Sequence, residues 1–173
     1  SVSVENHFMN RVSRSALCGT ITPELNGQEV SLCGWVQRRR DHGGVIFIDL
    51  RDRSGIVQVV MDPDRQAQFA IAEAVRNEYV LWVSGRIRPR PEGTENPELP
   101  TGAVEVLGHD IEILNASDPL PFQVDDDDTG EAVRLRYRYL DLRSSRMQSN
   151  LRLRHQATRN LRHFLELQDF IEI

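Results

Sequence analysis

Between residues 29 and 62 the chain alternates apolar and polar positions in three short runs. EVSLCGWVQRRR is long and ends in charge, VIFIDLRD alternates cleanly after a DHGG turn, and IVQVVMD alternates again after RSG. Period-two alternation broken by Gly and Asp predicts three strands joined by hairpins. The period then changes. In DRQAQFAIAEAVR, residues 64–76, Phe69, Ala72 and Val75 or Ile71 recur at helical spacing behind Asp62-Pro63, which predicts a helix. A fourth alternating run, YVLWVSGRIRPR, leads into the Pro- and Gly-rich PEGTENPELPTG, and a fifth, AVEVLGHDIEIL, follows. Three strands, a helix and two more strands is the order of an OB-fold, a small all-β five-stranded barrel that often binds oligonucleotides.

The alternation stops at Asn115. NASDPLPFQVDDDDTGEAV is rich in Pro, Asp and polar residues and reads as a hinge or linker. Residues 149–167 regain helical spacing, with Leu151, His155 or Ala157, Leu161, Phe164 and Leu165 on the apolar face, and the final DFIEI begins a strand. The predicted organisation is an N-terminal extension over 1–15, an OB barrel over 16–115, a hinge over 116–148, and the opening of a second domain over 149–173. Met9 is a candidate natural start, with Ser1–Phe8 as upstream sequence.

Composition narrows the class. With 39 % hydrophobic and 27 % charged residues, a soluble globular protein is expected. No run approaches the ~18 apolar residues of a membrane helix, and residues 1–15 lack the apolar stretch of a secretory signal. Cys18 and Cys33 stand without a CxxC or a His at metal spacing, so we expect reduced thiols in a cytoplasmic protein. The net charge of −5 argues against nonspecific nucleic-acid binding, but its distribution does not. All 21 basic residues are Arg, and nine of them lie between Arg134 and Arg162 against one acid, Asp141. The Arg side chain is a planar fork of donors suited to phosphates and base edges. A genome rich in Arg codons would give the same count.

Parity along the strands points to a surface. Ile46, Ile48 and Leu50 share one face, taken as core, which leaves Phe47 with Asp49 and Arg51 on the other. An aromatic ring among charges on an outer sheet face is a platform for a stacked base. In the next strand Val57, Val59 and Met61 oppose Ile56, Gln58 and Val60, so Gln58 offers an amide that can read a base edge. Arg38, Arg39, Arg40, Asp41 and His42 end the first strand beside that face, and Arg86, Arg88 and Arg90 alternate on the fourth. The plainer reading is that Phe47 packs under a loop, Gln58 is solvated, and the cations discourage edge pairing.

Three blocks carry a resemblance: LCGWVQRRRDHGGVIFIDLRDRSGIVQVV, RPRPEGTENPELPTGAVEV and LRYRYLDLR. Together they resemble the N-terminal part of aspartyl-tRNA synthetases of the bacterial or organellar type, from about Cys18 to Ile173. The sister enzymes for lysine and asparagine share the barrel and match these blocks less well. The resemblance implies that the barrel binds the anticodon loop. Phe47 would stack on the central uridine and Gln58 would bond its edge. Arg38 and Arg40 would approach the loop, and Glu105 would face the first anticodon base; Arg88 and Arg90 join the anticodon-binding candidates by strand parity, as cations flanking the aromatic platform. Residues 149–173 resemble the start of class II motif 1, the opening helix of an α/β catalytic domain and part of a homodimer interface. The motifs that hold ATP and the adenylate are absent, so this polypeptide is expected to need no cofactor and to aminoacylate nothing. The full-length enzyme would use ATP and magnesium to charge tRNA(Asp). His42 and Gly93 resemble the non-discriminating class, which also charges tRNA(Asn); both also fit as plain turn residues. Two alternatives remain open from sequence: a free-standing single-strand-binding OB protein, and the asparaginyl sister enzyme.

Overall fold

The alternating runs pair as their periodicity predicts. A computed structural model describes residues 13–126 and 128–173; most of the predicted N-terminal extension, Met9 included, lies outside the described residues. Five strands, β1 (Glu29–His42), β2 (Val45–Asp52), β3 (Gly55–Met61), β4 (Val80–Pro89) and β5 (Val104–Asn115), close into a barrel in the order β1-β2-β3-β5-β4. All neighbours are antiparallel except β3 and β5, which pair in parallel through Val59 with Val106 and Val60 with Leu107. Helix α1 (Gln66–Ala74) joins β3 to β4. The β1–β2 hairpin turns on Gly43 and Gly44, with φ of 63° and 81°. A two-residue turn with positive φ at both positions matches strand twist, and glycine adopts it without steric cost.

The core is the set that parity selects. Leu32, Val36, Ile46, Ile48, Leu50, Val57, Val59, Met61, Leu81, Val83, Ile87 and Val106 are all fully buried inside the barrel. Phe69 and Ile71 pack against this cluster from α1, and Ala72 and Val75 join it. The Gln68 side chain accepts from the Ile111 N–H at 2.9 Å and ties the helix to β5.

One feature of β1 is not visible in its hydrophobic pattern. The β1–β2 register shifts between Val36 and Arg38, leaving Gln37 as the extra residue of a bulge. Before it the even-numbered residues Val30, Leu32 and Val36 point inward. After it Arg38 pairs with Asp49 and Arg40 with Phe47, so the even-numbered residues point outward. A bulge inserts one residue and so exchanges the two faces beyond it. Arg39 turns the other way and donates from Nε to the Ala72 carbonyl of α1 at 3.1 Å.

The second compact unit begins at Leu120. Here the structure departs from the sequence reading. The segment read as a hinge holds two short helices, α2 (Glu131–Arg136) and α3 (Arg138–Asp141), built around the buried Asp141 carboxylate. Arg134 and Arg138 reach that carboxylate at 3.6 and 2.5 Å. The long helix α4 spans Ser145–Glu166, four residues earlier than its apolar spacing suggests, because Ser144 caps it and accepts from the Met147 N–H at 3.3 Å. The strand expected in DFIEI does not form. Asp169 takes φ 62°, its N–H meets the Glu166 carbonyl, and the Phe170 N–H meets the Leu165 carbonyl. This is a Schellman-type helix stop. Among the described residues, no strand pairs with the segment beyond it.

Candidate nucleic-acid interface

On the outer face of the barrel one polar row crosses all five strands. Arg40 on β1 donates from NH2 to Asp49 Oδ1 on β2 at 2.7 Å and to Gln58 Oε1 on β3 at 3.3 Å. Gln58 Nε2 donates to Glu105 Oε2 on β5 at 2.8 Å, and Arg88 Nε on β4 donates to Glu105 Oε1 at 2.8 Å. Register explains the alignment. Asp49 stands opposite Gln58, and Arg88 opposite Glu105. The bulge at Gln37 is what brings Arg40 to this face.

Parity placed Gln58 on the outer face, and the structure shows that this part of the face is covered. Gln58 is 6 % exposed and Glu105 1 % exposed. β3 lies between β2 and β5, and Gln58 is hydrogen-bonded from either side by Arg40 and Glu105. Both ends of the Gln58 amide are engaged, which leaves one acceptor lone pair and one N–H for a ligand. Glu105 is spent on Gln58 and Arg88 within the row. The buried Arg40 Nε has no partner among the described residues, and a buried donor without an acceptor is costly until one is supplied.

Phe47 is half-buried on the same face, opposite Arg40 and Val60. The exposed His42 ring meets it edge-on, with centroids 6.2 Å apart and planes at 62°. Arg38 is exposed and forms no ion pair with the described residues. Arg90 is buried and bonds the Val104 carbonyl from Nε at 3.1 Å and the Thr94 carbonyl from NH1 at 3.4 Å. Burial lowers the pKa of its guanidinium, and the Glu105 charge offsets part of this. Arg90 thereby fixes the loop that carries Gly93. There Thr94 N–H closes a turn onto the Pro91 carbonyl at 3.0 Å, with Gly93 at φ 80° in its third position. A type II turn requires that sign of φ. Nothing lies within 4 Å of where a Gly93 side chain would begin.

Seven of the predicted residues, Phe47, Gln58, Arg38, Arg40, Glu105, Arg88 and Arg90, thus share one barrel face. His42 borders it, and Gly93 lies in the loop that Arg90 anchors. Sequence reasoning missed Asp49 as a member. Its signal was present, since strand parity puts it on the same face as Phe47.

Away from this face, both cysteines are free thiols, and burial followed by the nearby Asp52 charge pushes the Cys18 thiol far up. No described helix is long and apolar enough to cross a membrane. No group of three or more His, Cys, Asp or Glu among the described residues is placed to hold a metal ion.

Two known families match successive parts of the chain. Residues 30–114 match the family described as OB-fold nucleic acid binding domain, of the tRNA anticodon type. Residues 130–173 match the family described as tRNA synthetases class II (D, K and N). Among solved structures, asparaginyl-tRNA synthetase from Pyrococcus horikoshii superposes with a TM-score of 0.80 at 24 % identity, covering 94 % of this chain and 37 % of that one. Aspartyl tRNA synthetase from Entamoeba histolytica superposes with a TM-score of 0.85 at 18 % identity, covering 96 % and 40 %. At these identities the likeness is one of fold. The chain spans well under half the length of either enzyme.

Proposed function

From a chain that joins an anticodon-binding OB domain to the opening of a class II tRNA synthetase of the D, K and N group, we propose the anticodon-reading front of an aspartate–tRNA ligase. The observation that carries this reading is the outer face of the barrel. It combines a half-buried aromatic ring, Phe47, with a fixed amide, Gln58, and flanking arginines. In this reading Phe47 stacks on the central uridine of the anticodon, while the free N–H and lone pair of Gln58 bond its edge. Arg38 supplies charge to the backbone of the loop, and the partly exposed guanidinium of Arg40 adds to it.

Aspartate rather than asparagine is supported by the three sequence blocks given above. The barrel face fits either enzyme, because the anticodons for the two amino acids share their first two bases. The parent enzyme would use ATP and magnesium bound by its catalytic domain, and no step of that chemistry is assigned to residues of this chain. His42 and Gly93 border the reading face and support charging of tRNA(Asn) as well as tRNA(Asp). The apolar side chains of α4 support a homodimer of the parent. The chemistry of both thiols suits the cytoplasm.

The test is ATP–pyrophosphate exchange by the full-length enzyme with aspartate or asparagine as the only amino acid, beside stem-loop binding by the 173-residue chain. Exchange with aspartate, none by the chain alone, and binding that depends on a central uridine are expected. Exchange driven by asparagine would move the assignment to the sister enzyme. Binding indifferent to loop sequence would make the barrel a general single-strand binder.

A further inference from the structure

A glutamine can read either pyrimidine. Along the edge formed by N3 and position 4, uracil presents a donor beside an acceptor, and cytosine presents the reverse. An amide turned one way complements the first, and the same amide turned over complements the second. A ring held in place by stacking does not remove this ambiguity. Something must fix the amide.

The neighbours of Gln58 do so by chemistry. The guanidinium of Arg40 can only donate, and the carboxylate of Glu105 can only accept. Gln58 turns its oxygen to the first at 3.3 Å and its nitrogen to the second at 2.8 Å. The reversed amide would set NH2 against guanidinium and oxygen against carboxylate, in a site where Gln58 is 6 % exposed. Buried like-for-like contacts leave both groups unsatisfied, so the reversed state is strongly disfavoured. Each neighbour is itself anchored from the far side, Arg40 by Asp49 at 2.7 Å and Glu105 by Arg88 at 2.8 Å.

We propose that Arg40 and Glu105 are positioning residues that lock the Gln58 amide in one orientation and so select uridine over cytidine at the base it reads. The proposal rests on the reading of Phe47 and Gln58 given above. It gives the buried Glu105 a role in specificity that needs no contact with the RNA. It also explains why a charge-balanced row crosses a face meant for a polyanion: the central members orient an amide, and attraction is left to the periphery.

The experiment titrates the 173-residue chain with two hairpin RNAs that differ only by U or C at the central loop position. The wild-type chain should prefer U, and Gln58→Ala should abolish the preference. Glu105→Gln should cut it by about tenfold or more, the worth of one matched hydrogen bond. It should do so mainly by gaining affinity for the C hairpin, because the new amide can turn either an oxygen or an NH2 toward Gln58. In Gln58→Ala/Glu105→Gln the second change should have no further effect on the ratio. A preference kept by Glu105→Gln but lost by Gln58→Ala overturns the lock and leaves the reading standing. A preference kept by Gln58→Ala overturns the reading and the lock together. Equal weakening of both hairpins by Glu105→Gln, or an effect confined to the first loop base that persists without Gln58, also overturns the lock. If circular dichroism shows Glu105→Gln unfolded, Arg88→Met releases the carboxylate from a partly exposed position and is held to the same outcomes.

Discussion

The barrel and helix α4 use the same alphabet of amphipathic patterns with opposite results. In the barrel each apolar position that parity selects is covered by the barrel's own strands and by α1. Along α4 the spacing is equally clear, yet none of its residues is buried, and Leu153, Leu161 and Phe164 are each more than 60 % exposed. A closed sheet supplies its own second layer, whereas a lone amphipathic helix must find one elsewhere. The pattern predicts which face will be buried but does not say what will bury it.

The largest test of this contrast is stability. Ile48→Ala opens a cavity in a complete core and should cost about 2–5 kcal/mol in denaturant unfolding of the chain. Leu161→Ala on α4 should stay within about 0.5 kcal/mol, as an uncovered position does. Comparable losses at the two sites would mean that α4 is covered in solution. The outer face of the barrel should separate from its interior in the same way. Phe47→Ala should weaken stem-loop binding by about 1–3 kcal/mol, the loss of one stacked base, while the unfolding midpoint hardly moves. A midpoint that falls with no loss of binding would return Phe47 to a packing role.

The loops beside that face should matter less. In the full-length enzyme we expect comparable kcat/KM for tRNA(Asp) and tRNA(Asn). His42→Leu should shift the ratio toward tRNA(Asp) by about tenfold, near 1.4 kcal/mol. Gly93→Asn should act in the same direction, Asn being the side chain that best tolerates positive φ. A wild-type preference above about a hundredfold, more than one hydrogen bond supplies, would remove both positions from the decision.

The smallest effect concerns how the barrel is sealed at Asp52. Burial alone would raise its carboxyl, but hydrogen bonds from the Ser54 side chain and from the N–H groups of Cys18 and Ser54 outweigh this and hold it below its usual value. A depressed folded pKa means that the carboxylate stabilises the fold above the ordinary value of about 4, and that this contribution fades as pH falls through and below it. Asp52→Asn should therefore flatten the acid side of a stability–pH curve. An unchanged slope would show that other carboxylates set it.

Much of the barrel was legible because period-two alternation, Gly-bearing turns and one helical stretch agree with one another. Phe47 and Gln58 were reachable by parity alone. The bulge was not, because it depends on which residues of β1 meet β2, and that is a matter of register rather than of any one strand. The burial of Gln58 between its hydrogen-bonding neighbours was hidden for the same reason. Helices α2 and α3 were missed because their order comes from Asp141 gathering Arg134 and Arg138, a charge cluster within a stretch whose composition reads as linker.

The residue displaced at Gln37 behaves like a frameshift in three dimensions. Upstream of it, the even-numbered positions of β1 are committed to the interior, where close packing constrains Val30, Leu32 and Val36. Downstream, the even-numbered positions of the same strand turn to the outer face and the ladder with β2 resumes in its new register. One continuous element thereby carries two independent vocabularies, and the arginines of its second half can vary without rewriting the residues that hold the barrel shut.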